Sequence, residues 1–89
     1  MKAVVTVLGC DKVGIIAKVA AILAENNVNI LDITQTTMQD IFTMIMLVDI
    51  SECKVEFSRL VDTLDSEGKK IGVDIKTQHY DIFKSMQEI

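Results

Sequence analysis

The chain has 89 residues, with 9 Lys and Arg against 13 Asp and Glu, giving a formal net charge of −4 when its one histidine is neutral. That length supplies interior for one core, so residues 1–89 read as a single domain with little room for a catalytic fold carrying its own cofactor. The acidic balance argues against nucleic acid or an anionic membrane as the main partner. Hydrophobic residues make up 49% of the chain, which excludes intrinsic disorder. A domain this small buries only about 60% of the surface its unfolded chain exposes. So much apolar sequence therefore exceeds what one copy can hide, and self-association is expected.

Residues 3 to 8, Ala-Val-Val-Thr-Val-Leu, form a β-branched run bounded by Gly9. This predicts a strand, apolar on both faces and therefore central. After the loop Gly9-Cys10-Asp11-Lys12, Ile16, Val19, Ala20 and Leu23 fall on one helical stripe, with Asp11 as N-cap and Asn27 as the left-handed terminator. The apolar stretch from Val13 to Ala24 is interrupted by Lys18 and falls short of the roughly 20 residues a membrane span needs. It reads as a core helix. With no secretory leader pattern after Met1-Lys2, the chain is expected in the cytoplasm.

Val28 to Met38 predicts a second strand, with Leu31 and Ile33 on a buried face and Asp32, Thr34 and Thr36 on a wet or paired one. Gln39-Asp40 supplies a turn into a third strand, Ile41 to Asp49, apolar on both faces and so interior. Ser51 is expected to begin a second helix with the stripe Phe57, Leu60, Val61 and Leu64, closed by Gly68 and followed by Lys69 and Lys70. Residues 71 to 78 alternate Ile71, Val73 and Ile75 with polar residues, as an edge strand does. Tyr80, Phe83 and Met86 mark a short terminal helix. The order β-α-β-β-α-β with right-handed crossovers is the α+β ferredoxin-like sandwich, with the first and third strands central and both helices on one face. Its other face needs a lid, from the C-terminal helix or a second subunit.

Catalytic chemistry is hard to assemble. His79 stands alone and reads as a surface or helix-capping residue, and no serine lies in a nucleophile-elbow setting. Gly9 to Gly14 has P-loop glycine spacing, but Ile15-Ile16 stands where Lys-Ser/Thr is required. Cys10 and Cys53, with His79, are too few and too scattered for a disulfide framework or a four-ligand zinc site, and no cofactor or metal is expected. Cys10 precedes a helix N-terminus, which favours a thiolate, but the adjacent Asp11 opposes it.

The same loop has the parts of an amino-acid receptor. Unpaired amides around Lys12, Val13, Gly14 and Ile15 attract a carboxylate, Gly14 permits close approach, and Asp11 can meet an ammonium group. Asp11 as a simple cap and Gly14 as a packing glycine account for the residues equally well.

Asp11-Lys12-Val13-Gly14-Ile15-Ile16, followed by Val28-Asn29-Ile30, resembles the ACT domain family over essentially the whole chain. Val28 to Gln35, Phe42-Thr43-Met44 and Ile82-Phe83 with Met86 make the likeness closest to small stand-alone ACT proteins of the UPF0237 type. The resemblance implies a non-catalytic regulatory module that binds a small effector, usually an amino acid, between two subunits. Serine-sensing members grip it with the first strand-helix loop and with an asparagine on the second strand of the neighbouring subunit. Asn29, beside Ile30, matches that asparagine, and Asp11 falls where the loop asparagine stands. Asp11 in place of that asparagine favours a cationic contact, and Gly9 in place of a histidine of those members leaves room for a larger effector or for none at all. Asn29 also fits ordinary turn chemistry, and Asp32 fits a solvated charge that protects an edge.

Three functions are thereby set side by side. They are an effector-binding homodimer or higher oligomer that modulates a partner protein, a pure protein-protein interaction module without a small ligand, and thiol chemistry at Cys10.

Overall fold

The computed structural model describes residues 1–10 and 14–87, with side chains as far as Ser85. The elements run β1 (Lys2–Cys10), α1 (Ile15–Glu25), β2 (Asn29–Met38), β3 (Ile41–Asp49), α2 (Phe57–Ile71), β4 (Asp74–His79) and α3 (Tyr80–Gln87). The strands form one antiparallel sheet in the order β2-β3-β1-β4. This is the ferredoxin-like sandwich with a C-terminal helix that the pattern predicts, with β1 and β3 interior and β2 and β4 at the edges.

The pleat divides the sheet into two faces. Ala3, Val5 and Val7 of β1 and Met44, Met46 and Val48 of β3 point to the helix side, where they are fully buried against Val19 and Leu23 of α1 and Leu60 and Leu64 of α2. Val4, Thr6 and Leu8 alternate to the opposite face, beside Leu47, Ile45 and Thr43. There α3 packs against β1 and β4. Phe57, at the start of α2, stacks on His79 with ring centroids 3.9 Å apart, so that histidine is held against the α2 layer rather than standing free.

Both helices end in the same way. After α1, Val28 N donates to Leu23 O (2.9 Å) and Asn27 N to Ala24 O (3.0 Å), with Asn27 at φ 61°. After α2, Val73 N donates to Gly68 O (2.9 Å) and Gly72 N to Lys69 O (3.3 Å), with Gly72 at φ 79°. These are Schellman closures, in which the valine after each left-handed residue tucks under the helix. Asn27 is thus the terminator that its position predicts. The glycine of the second helix is Gly72, not Gly68. Gly68 is buried inside α2, where an added Cβ would lie 2.8 Å from Ile75 Cγ1. Its role is the close approach of α2 to β4.

Other expectations shift for physical reasons. The second helix begins at Phe57 rather than Ser51, because residues 51–56 are spent on tertiary contacts: Lys54 N donates to Asn26 O (2.9 Å), while Cys53 and Val55 pack on the core. The α1 stripe runs through Ile15, Val19 and Leu23, one residue out of phase with the predicted start at Ile16, which is exposed. In β2 a bulge between Ile30 and Asp32 inserts Leu31 and reverses the alternation, so Ile33 faces the helix side with Met46 and Asp32 the opposite side with Leu47. Neither Leu31 nor Ile33 is buried, because the helix layer stops short of this edge strand. Among the described residues no helix is long and apolar enough to cross a membrane.

Candidate functional site

Asp11, Lys12 and Val13 lie outside the described residues, and so does the Asp11 cap expected of them. The N-cap of α1 is Gly14, at φ 87° and ψ 2°, with no side-chain cap and no acidic residue in the first turn. Lys18 N donates to Gly14 O (3.0 Å), so α1 leaves the amides of Gly14, Ile15, Ile16 and Ala17 without intrahelical acceptors. The donor set therefore sits slightly later in the chain than the sequence places it. A Cβ on Gly14 would meet nothing within 4 Å among the described residues. The side chain of Ile15 is buried in the core, so this residue offers its amide alone.

Asn29 begins β2 opposite Asp49, and Ile30 beside it packs half-buried against the core next to Val48. The exposed Asn29 borders an open cleft of about 510 Å³ with Asn27, Asp49, Ser51 and Glu52. The sequence reading missed this polar group. Asp49 Oδ1 accepts from Ser51 N (2.9 Å) and Ser51 Oγ (2.6 Å), and the N-terminal ammonium of Met1 donates to Ser51 Oγ and lies 3.6 Å from Asp49. The Ser51 hydroxyl first, then its amide, hold the Asp49 carboxyl below its ordinary value. Asp-x-Ser spacing is the local signal for this turn, since an aspartate side chain commonly accepts the amide two residues on.

Gly14 and Asn29 are not brought together within one copy. The 11 residues of α1 separate them, a span of roughly 16 Å at the helical rise. Register agrees: Cys10 and Met38 both pair with Ile41 at the Gly14 end of the sheet, whereas Asn29 and Lys2 both pair with Asp49 at the other end. Cys10 is exposed and Cys53 half-buried, both as free thiols. Among the described residues no cluster of His, Cys, Asp or Glu could hold a metal ion.

The ACT domain family model matches residues 2–78. The chain belongs to the ACT domain family. It is 57% identical over 89 residues to a UPF0237 protein of Clostridium acetobutylicum, covering 100% of both chains. It superposes on an ACT domain protein from Streptococcus pneumoniae with a TM-score of 0.82, at 41% identity and covering 93% of each chain. The regulatory subunit of aspartate kinase from Thermus thermophilus shares the fold alone, with a TM-score of 0.64 at 24% identity over 86% of this chain and 50% of that one. The chain is thus an ACT domain of the UPF0237 type.

Proposed function

We propose that this ACT domain, taken as residues 1–89, is a non-catalytic cytoplasmic regulator that binds an amino acid or a similar small effector between two copies and thereby modulates a partner protein. The observation that carries this reading is the separation of Gly14 from Asn29. Each copy holds a carboxylate-binding helix end at one end of the sheet and a polar cleft around Asn29 at the other. The exposed edge of β2 runs between the two ends. Antiparallel pairing of β2 with the same strand of a second copy sets Asn29 of one beside Met38 of the other, close to its helix end. Asp11, Lys12, Val13, Gly14 and Ile15 from one copy and Asn29 and Ile30 from the other then make one site, in which Asp11 meets the ammonium group.

A thermal-shift screen of amino acids tests this. A ligand at 100 times its Kd adds about 2.7 kcal/mol to stability, and Asn29→Ala should abolish the shift while leaving the unliganded midpoint in place. The reading falls if no compound raises the midpoint, or if Asn29→Ala responds as the wild type does. The competing reading, a pure interaction module, draws on the exposed Leu8, Ile45 and Ile82. Pull-down with and without effector separates the two, since only a sensor changes its partner affinity when ligand binds.

A further inference from the structure

The cleft around Asn29 has a charge pattern of its own. Its volume of about 510 Å³ lies in the range that holds small metabolites. Asn27 and Asn29 line it from the corner between α1 and β2, and Asp49, Ser51 and Glu52 line it from the end of β3. Two of its lining residues carry carboxylates, and none is a lysine or arginine. One cation is already drawn there, since the Met1 ammonium donates to Ser51 Oγ and lies 3.6 Å from Asp49 Oδ1. Two carboxylates against one ammonium leave a negative charge unmatched. The hydrogen bonds from Ser51 also end on Asp49 Oδ1, so Oδ2 takes none of these contacts. Glu52 accepts from Asn27 Nδ2 through its backbone oxygen (3.0 Å), and its carboxylate makes no ion pair among the described residues. The helix ends add to this field. α2 finishes with Lys69 and Lys70, which offset the negative end of its dipole, whereas α1, whose Ala24 walls the cleft, has no basic residue in its last turn.

We infer that the effector is an amino acid whose side chain carries a positive charge. In the intersubunit site proposed above, on which this inference rests, the effector carboxylate lies on the helix end at Gly14 of one copy and the side chain extends into the cleft of the other. There its ammonium or guanidinium group meets Asp49 Oδ2 and the Glu52 carboxylate, and the Asn29 amide oxygen accepts a further hydrogen. A neutral side chain of the same length gains none of these charge-assisted contacts. Asp49 and Glu52 thus discriminate among effectors, while the helix end recognises the carboxylate that all amino acids share.

Isothermal titration calorimetry of the full chain with lysine, arginine, norleucine and cadaverine tests it. Norleucine is lysine without the side-chain amine, and cadaverine is lysine without the carboxylate. Lysine or arginine is expected to bind at least about tenfold more tightly than norleucine, the worth of one hydrogen bond to a charged group. Cadaverine should bind more weakly than lysine by a similar factor. Asp49→Asn and Glu52→Gln, each checked for folding by far-UV circular dichroism and the unliganded thermal midpoint, should bring the Kd of the basic amino acid toward that of norleucine. Norleucine binding as tightly as lysine and arginine overturns the inference but leaves the effector site standing with a neutral ligand. Cadaverine binding as tightly as lysine overturns the two-ended placement, and so does an unchanged preference for the basic amino acid in both variants. If no amino acid of a full panel binds, the intersubunit site itself falls and the charge preference falls with it.

Discussion

Thr77 shows how a single residue in this core can work against stability. It faces the helix side of β4 opposite Val5, and its Oγ1 is buried without a hydrogen-bond partner among the described residues. A buried hydroxyl left unpaired forfeits its hydration and gains nothing in return. Thr77→Val keeps the shape and removes the orphan, so it is expected to raise unfolding stability by about 1 kcal/mol, read as a higher urea midpoint at constant slope. At this scale the sequence discloses the type of residue but not its phase. Ile15 and Ile16 are adjacent and equally apolar, and only the direction of chain entry at Gly14 decides that Ile15 goes inward. Asn29 was identifiable because its motif names it, whereas the companions Asp49 and Ser51 come from a different strand end and meet it only through the β2-β3 register.

Among the elements, the first three strands are predicted well because alternation and β-branching are local, and the helix ends less well because packing selects among several candidate residues. The strand expected from Ile71 begins only at Asp74, since α2 runs on to Ile71 and Gly72 and Val73 close it. Gly68 and Gly72 lie four apart, both placed to end a helix. The choice falls to Gly72 because α2 must lie close enough to β4 that Gly68 touches Ile75. Gly68→Ala accordingly sets two effects against each other. Helix propensity favours alanine by about 1 kcal/mol, but the new Cβ also sits 3.1 Å from the backbone oxygen of Val73, a residue whose amide is tied to Gly68 O in the Schellman closure. Overpacking of this kind costs about 1–3 kcal/mol. The expected outcome is a net loss of stability, seen as a lower thermal midpoint, and a midpoint raised above wild type would mean that α2 can move away from β4 at no cost. The bulge at Leu31 is the feature of β2 that alternation could not disclose, because the extra residue is recognised only against its partner strand.

For the whole molecule, the order of elements and the handedness of crossovers were enough to derive the sheet order, and the apolar composition was enough to expect association. The sequence also places that excess, on the sheet face opposite the two helices, on the terminal helix and along the second strand's edge; what it leaves open is how much of the face α3 covers, because that depends on packing. The structure puts it on the exposed length of β2 and on the half-open sheet face. Association through either surface couples folding to concentration by mass action, since only the folded chain presents the surfaces. If native dimers unfold to separate chains, a tenfold rise in concentration adds about 1.4 kcal/mol per dimer. With unfolding enthalpy near 0.7 kcal/mol per residue, that moves the thermal midpoint up by about 4 °C for each tenfold increase. Calorimetric scans over a hundredfold range of chain concentration should show this climb. A midpoint that stays flat across the range would mean that the folded chain is a monomer, and the intersubunit effector site would lose its second half.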